Sequence, residues 1–488
     1  MSQPPPPSSP PGGPGAGPTP YPDGGTGMPP GPPAPPSPGG SGSKTGVIIG
    51  VVLAVALVIG GGVWFLAGGD GGDDGGETAA SEGKMLHSVA MPKVNDEIDA
   101  MGMWTTRKNF VKTGDKEIVG YPLKGGKPSW KIPFKGDICW TSPQVTKAGL
   151  AAVLFKNGTS GDAECTQVGL VDFDSGKLRW QKRVADEWGD AMDFYEVTIA
   201  GNTVAAGGVS GGAAWSVEGR QLWKPTGDEK CEDRGYAGDE KTLIAVQRCG
   251  DGDPPVHRVQ TLDPSNRQVK SSFIAPRGTE YVHVASVSPL LIAVDSGDAE
   301  AGSGVTDFLS IDDSGPRGKV QGRVDVLEKG YETDCPSTNV DGCTQFAYGK
   351  KSQTLYLSTD KTAEGQTNIG SRVVAIDMRT GKKKGQTELV EGIALIPFGV
   401  DEKENPLAYQ QPTYEEPGSL WQVDAGSFKK KKLLQNPASS HQAEYSMDGD
   451  RRINYTGKRL YLGDDKVRRV SSESGGTARP LAMVFGEG

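Results

Sequence analysis

Short runs in which apolar and polar residues alternate recur through the C-terminal four-fifths of this chain. Leu150-Ala-Ala-Val-Leu-Phe155, Thr242-Leu-Ile-Ala-Val246 and Leu355-Tyr-Leu-Ser358 are examples. Runs of this length and period form strands of half-buried sheets. A turn of the form φ-x-φ-Asp-x-x-Gly, with φ apolar, closes one run in each group. It is clearest at Val168-Gly-Leu-Val-Asp172-Phe-Asp-Ser-Gly176, Val373-Val-Ala-Ile-Asp377-Met-Arg-Thr-Gly381 and Phe308-Leu-Ser-Ile-Asp312-Asp-Ser-Gly315. Weaker copies stand at Leu123, Val217, Asp263, Asp424 and Ser471. The eight markers are separated by 49, 45, 46, 49, 65, 47 and 47 residues. A period in the forties built from strands and glycine turns predicts four-stranded blades repeated around a ring.

The expected fold is therefore all-β: an eight-bladed β-propeller over residues 99–488. Its units fall near 99–136, 137–187, 190–227, 228–276, 279–327, 331–390, 392–437 and 440–487. The single step of 65 places a loop insertion in the sixth unit. Ring closure is expected between the eighth unit and residues 99–111, because closure removes two unpaired sheet edges. In each repeated turn the Asp carboxylate accepts hydrogen bonds from the turn backbone and the Gly supplies the positive φ. Trp130, Trp180 and Trp223 follow such turns and can dock between neighbouring blades.

The first 98 residues have a different composition. Seventeen of the 36 prolines precede Lys44, and that stretch has one charged residue, Asp23. It cannot bury a core and is expected to be a disordered tail, residues 1–44. Thr45 to Gly69 carries no charge and is long enough to cross a bilayer. A cleaved signal peptide is the rival reading, but no Lys/Arg-rich segment precedes the apolar run. Residues 70–98 read as a flexible acidic linker. The expected arrangement is a single-pass cell-membrane protein with a cytoplasmic N-terminus and an extracytoplasmic propeller. Gly46-Val-Ile-Ile-Gly50 matches a helix-dimer pattern, though glycine is common throughout the span.

Cysteine placement supports this sidedness. All six (Cys139, Cys165, Cys231, Cys249, Cys335, Cys343) follow the apolar span. An even number on one side points to disulfides in an oxidising compartment, against the alternative of six buried thiols. In an up-and-down blade the start of the first strand lies beside the end of the second. That geometry favours the pairs Cys139–Cys165 and Cys231–Cys249, leaving Cys335–Cys343 to close a short loop entering the sixth unit.

The net charge of −9 belongs almost entirely to the part beyond the span and does not suggest nucleic-acid binding. Two lysine runs, Lys382-Lys383-Lys384 and Lys429-Lys430-Lys431-Lys432, follow the third-to-fourth-strand turns of adjacent units. They read either as edge-strand protection or as one patch for an anionic cell-envelope polymer or a protein partner, which Lys466, Arg468 and Arg469 would extend. Second-to-third-strand loops carry Asp162, Glu164, Asp251, Asp253, Asp298 and Glu300. These are either ordinary solvated loops or an acidic face opposite the lysines. The four histidines are scattered, so no metal site is predicted. Gly208-Val-Ser-Gly-Gly212 formally matches a nucleophile motif, yet another apolar run follows it, so it reads as a hairpin.

The repeat with its trailing tryptophan, Val171-Asp172 through Gly176 to Trp180, resembles the pyrroloquinoline-quinone-type, or quinoprotein-like, propeller blade. The whole plan of tail, single helix and ectodomain resembles envelope proteins of high-GC Gram-positive bacteria. Proteins with this repeat include dehydrogenases, a non-enzymatic outer-membrane assembly lipoprotein and sensor domains of membrane kinases, so fold alone does not select a function. The quinone enzymes use a calcium site of carboxylate and amide side chains, an Asp base and often adjacent cysteines. This chain has no adjacent cysteines and no C-x-x-C-H haem motif. The expected function is a non-catalytic binding or scaffold propeller, or a sensor, without a cofactor; the alternative is a quinone-dependent dehydrogenase.

Overall fold

The computed structural model describes residues 81–487 apart from 186–188, 226–229, 251, 253–254, 298–303, 360–369, 393, 448–450 and 470–478. The tail, the candidate membrane span and residues 70–80 of the acidic linker lie outside the described residues. Among the described residues no helix is long and apolar enough to cross a membrane.

Among the described residues eight sheets, each built on four antiparallel strands, follow one another along the chain, beside two short two-stranded pairings. In blade two, Ile138–Thr141 is innermost, then Leu150–Phe155, Gln167–Asp172 and the outer Lys177–Lys182. Middle strands are buried along nearly their whole length, Gln167 alone being half-buried, whereas the outer one alternates between exposed and half-buried residues. That contrast follows from position, since a middle strand has sheet neighbours on two edges and blades on both faces. Blade one runs from Met103–Thr105 to Trp130–Pro133 and blade three from Glu196–Ala200 to Gln221–Trp223. Blade four has four strands, Cys231–Gly238, Leu243–Cys249, Val256–Leu262 and Val269–Ile274. Blade five runs from Tyr281–Ser286 to Lys319–Asp325, blade six from Phe346–Gly349 to Lys382–Gln386, and blade seven from Leu395–Val400 to Lys430–Gln435.

The core is divided into eight apolar clusters, one at each blade interface. Val111, Ile118, Val153 and Phe173 join blades one and two, and Leu154, Leu170, Val204 and Trp215 join two and three. The series continues round to Phe110, Tyr461, Leu481 and Val484, which join blades eight and one. A cluster at this last interface means that the ring is closed.

Closure differs from the sequence expectation. Blade eight takes only three strands from the C-terminus: Arg451–Thr456, Arg459–Asp464 and Pro480–Gly486. Its outer strand is Lys84–Ala90, paired antiparallel with Pro480–Gly486. The propeller thus begins at residue 84 rather than 99, and the stretch read as linker holds the strand that seals the ring. Residues near 99 help only through a short pairing of Ile98–Asp99 with Lys466–Val467. The marker at Ser471 lies outside the described residues; in sequence it stands between Arg459–Asp464 and Pro480–Gly486, and the N-terminus supplies the outer strand that a third-to-fourth turn would lead to.

Elsewhere the repeated turns behave as their chemistry requires. Asp172 Oδ1 accepts from the amides of Asp174 and Ser175 at 3.0 and 3.1 Å, and Asp424 Oδ1 accepts from those of Gly426 and Ser427 at 3.2 and 2.7 Å. Gly176 and Gly381 hold φ of 64° and 69°. Two equivalent positions are not glycine: Arg267 and Phe428 hold φ of 60° and 59°. Both side chains reach another strand or blade, which offsets the backbone cost. Arg267 Nη2 donates to the buried Asp233 carboxylate at 2.7 Å and its guanidinium lies 6.0 Å from the Trp223 ring of blade three. Phe428 of blade seven packs where a Cβ on Gly385 of blade six would sit. The tryptophans dock as expected: Trp130 stacks on Phe173 of blade two, and Trp180 Nε1 donates to the Val217 carbonyl of blade three at 2.9 Å. Gly208-Val-Ser-Gly-Gly212 is the hairpin between the second and third strands of blade three.

Candidate functional site

The three disulfides join Cys139 to Cys165, Cys231 to Cys249 and Cys335 to Cys343, and no cysteine is free. The pairing follows the blade geometry. Cys231 and Cys249 are direct cross-strand partners, with Cα atoms 4.0 Å apart. Cys139 and Cys165 bracket the first and second strands of blade two, with a Cα separation of 6.2 Å. All three bridges lie on the face where first strands begin and second strands end, here the disulfide face.

The segment between Cys335 and Cys343 precedes the first strand of blade six. The insertion there accounts for much of the long step in the repeat. This loop reaches the inner strands of several other blades. Asn339 Nδ2 donates to the Tyr195 carbonyl at 2.9 Å, and a ring nitrogen of His283 lies 2.7 Å from the Asn339 carbonyl. The Val284 amide donates to the Val340 carbonyl at 2.7 Å. Arg452 Nη1 donates to the Gly342 carbonyl at 3.2 Å. Blades three, five and eight are thus tied to one short loop, which places it across the axis of the ring.

Glu196, at the start of blade three, is the central tie. Its carboxylate accepts from the amides of Val340 at 2.8 Å, Asp341 at 3.2 Å and Tyr236 at 2.9 Å. Burial pushes this carboxyl well above the usual range, and neighbouring Asp341 pushes it further, against the three amides. Burial also pushes Asp341 up to about 7, against the Gly342 amide and Arg452. Nearby, Lys112 is fully enclosed, donates to the Ala100 carbonyl, and is pushed down to about 7 by burial despite Asp465 and Asp464. The centre therefore holds side chains that titrate near neutrality, fixed by backbone groups.

Clefts open around the loop. One of about 360 Å³ lies between Trp140, Pro336, Asn339, Arg451, Arg452 and Asp465. A second of about 400 Å³ is lined by Asp99, Cys139, Trp140, Asp193, Tyr195 and Thr338. A third of about 490 Å³ lies between blades four and five, lined by Tyr195, Arg234, Arg248, His257, Tyr281 and Val340. Burial raises Asp99 and Asp193 and lowers His257.

The sequence-predicted site residues divide between the two faces. Lys382, Lys383 and Lys384 begin the outer strand of blade six, while Lys429 precedes and Lys430, Lys431 and Lys432 begin that of blade seven. The Phe428–Gly385 packing brings the two strands together. Lys432 lies over the Trp421 ring at 4.9 Å and Lys384 Nζ donates to Thr354 Oγ1 at 3.1 Å. Lys466, Arg468 and Arg469 do not extend this group. They follow the second strand of blade eight, toward the disulfide face, and Glu97 pairs with Lys466 at 2.7 Å and with Arg468 at 2.9 Å. Of the acidic loop residues, Asp162 and Glu164 are exposed in blade two; Asp251, Asp253, Asp298 and Glu300 lie outside the described residues. Among the described residues no group of three His, Cys, Asp or Glu side chains is arranged to hold a metal.

The sequence reading missed the axial loop's partners and the arginines of the third cleft. Arg248 directly precedes Cys249, and Arg234 follows Cys231 by three residues. Cations flanking a cross-strand disulfide were the available signal. The quinone clamp implied by the resemblance does not fit these residues. Every cysteine is bonded to one 8 to 26 residues away, and Val340 and Asp341 occupy the axis.

No protein-family model matches the chain, and no curated protein does. Solved structures similar to it include BamB from Moraxella catarrhalis, at 12% identity over 81% of this chain and 99% of that one, with a TM-score of 0.45. Another is a quinohemoprotein alcohol dehydrogenase from Pseudomonas putida, at 9% identity over 83% of this chain and 76% of that one, with a TM-score of 0.47. A europium-containing methanol dehydrogenase is similar at 10% identity over 83% and 93%, with a TM-score of 0.45.

Proposed function

We propose that the chain is a non-catalytic binding propeller that takes its ligand or partner on the disulfide face. Residues 45–69 hold it in a membrane, and the propeller lies on the extracytoplasmic side. The observation that carries this reading is the axial loop. A disulfide-closed segment tied to three blades leaves a rigid rim with clefts around it, and pre-organised rims lose little entropy on binding. Three disulfides without a free thiol support an oxidising compartment, and the uncharged stretch from Thr45 to Gly69 supports the anchor.

The test is position-resolved photo-crosslinking of the full chain in membranes. A probe at the exposed Ser337 is expected to capture a discrete adduct that a probe at Lys431 does not. Adducts at Lys431 alone contradict the reading. Reconstitution with pyrroloquinoline quinone and calcium, followed by dye reduction with alcohols or sugars, separates the enzymatic alternative: turnover there contradicts a non-catalytic role.

A further inference from the structure

We infer that the cleft between blades four and five binds an anionic ligand built on a hydroxylated ring, such as a sugar acid or sugar phosphate. The inference deepens the binding reading of the disulfide face and rests on it.

Three neighbouring strands of blade four present a row of nitrogen-bearing side chains. Arg248 on the second strand is the cross-strand partner of His257 on the third. Arg234 sits in the bulge of the first strand, between the residues paired with Gln247 and Val246. All three line the same cleft of about 490 Å³. The Cys231–Cys249 bridge pins the first strand to the second at the residue next to Arg248. The arginines therefore stand on ordered sheet rather than on a mobile loop.

Neither charge is held in a close ion pair among the described residues. Arg248 is exposed and makes no ion pair among the described residues. Arg234 donates to the Val209 carbonyl at 3.1 Å and has only a distant carboxylate neighbour, Glu232 at 3.8 Å. Among the described residues Glu280 is the single carboxylate in the lining, and its side chain lies against Gly297. Two guanidinium groups without a close carboxylate among the described residues match a carboxylate or phosphate, which accepts paired N–H donors.

The remaining surfaces define the rest of the ligand. Tyr195 and Tyr281 are 40% and 41% exposed and border the cleft with ring surface and hydroxyl together. Val246, Val282 and Val340 supply apolar lining. Such surfaces pack against a ring. His257 is 8% exposed, and one ring nitrogen, Nε2, lies 2.8 Å from the Glu280 carbonyl. Donation there leaves Nδ1 as an acceptor, and it is buried without a hydrogen-bond partner. A ligand hydroxyl that reached this nitrogen would supply the donor it lacks.

The test is titration calorimetry on the full chain with four probes: glucuronate, glucose 6-phosphate, inorganic phosphate and glucose. At least one of the two sugar anions is expected to bind about tenfold or more tightly than glucose, and the tighter of them identifies the charged group. Arg248→Ala and Arg234→Ala are each expected to weaken that binding by about tenfold, with a matching loss of salt dependence. Tyr281→Ala is expected to weaken the sugar anion but not inorganic phosphate. Arg248 is exposed, so its variant keeps the wild-type melting temperature. Absence of binding by both sugar anions overturns the inference. So does equal binding of glucose, or binding unchanged in the double arginine variant. Failure here with intact crosslinking at Ser337 leaves the binding face in place and removes only this ligand class. Failure of both removes the face.

Discussion

The two faces of the propeller follow different rules. On the turn face the repeat is kept, and its side chains serve the ring. Trp130, Trp180 and Trp223 each reach the next blade, and Phe428 fills the space over Gly385. On the disulfide face the repeat is interrupted. The insertion before blade six crosses the axis, and the buried carboxylate of Glu196, the half-buried Asp341 and the clefts gather around it. Regularity joins the blades, while irregularity fixed by disulfides builds surfaces that a repeat alone would not. Substitutions on the turn face should therefore act on stability, and those on the disulfide face should act on binding or on its pH dependence.

The largest expected effect comes from the seam that both faces share. Deleting Lys84–Ala90 removes the outer strand of blade eight and exposes the edge of Pro480–Gly486. The melting temperature of the full chain should fall by about 10 °C or more, with aggregation, as an open ring exposes an unpaired edge. A change of one or two degrees would mean that the C-terminal strands close the ring without it.

Next is Arg267→Ala on the turn face. Asp233 is almost fully buried and keeps Gln247 and Tyr236 as partners but loses its cation. The cost should be about 3 kcal/mol in urea denaturation, the usual penalty for stranding a buried charge. Arg267→Lys should recover only part of it, because a fork of donors is lost. An Ala variant as stable as wild type would show that the Arg267–Asp233 pair contributes nothing to the fold.

On the other face, replacing Cys335 and Cys343 together by Ser should cost about 2–3 kcal/mol, the chain-entropy value for so short a loop. Amide exchange should then quicken at Val340 and Asp341 while the outer strands stay protected. Exchange that quickens equally in all blades would contradict a local role for the axial loop.

These outcomes bear on what could be read in advance. The ring and its turns were legible because most blades keep part of one Asp-to-Gly pattern at a nearly fixed spacing, and its chemistry is local. The disulfides were legible because blade geometry brings strand one beside the end of strand two. Two things were not. The strand Lys84–Ala90 has no turn before it and pairs with residues nearly 400 positions away, so no local signal marks it as part of the repeat. Glu196 and Asp341 are ordinary acids in the sequence. Their meeting depends on where the inserted loop lands, which is a tertiary fact. The lysine runs were placed correctly on outer strands, but Lys466 and Arg468 were grouped with them because the eighth turn had been assigned to the wrong connection.

A smaller effect separates the faces by pH. The Asp341 carboxyl is held near 7, above its ordinary value of 3.8. The folded state then keeps a proton that the unfolded chain releases. The stabilisation is full below about pH 3.8 and is lost as pH rises through about 7. Asp341→Asn should flatten the decline in wild-type stability between pH 4 and 7, whereas Lys431→Ala on the turn face should leave the slope unchanged. Parallel curves for wild type and Asp341→Asn would show that Asp341 does not titrate in this window.

The division of labour is tested most directly by melting the full chain with and without saturating glucuronate or glucose 6-phosphate, comparing Gly176→Ala with Arg248→Ala. At Gly176 a Cβ would meet Trp130 in a left-handed backbone conformation, so the variant should lose about 1–3 kcal/mol of stability and melt lower without ligand. The ligand-induced rise should remain as large as in wild type. Arg248→Ala should melt as wild type does and lose the rise. A reversed result, with the ligand effect lost in Gly176→Ala and kept in Arg248→Ala, would contradict the assignment of stability to one face and binding to the other.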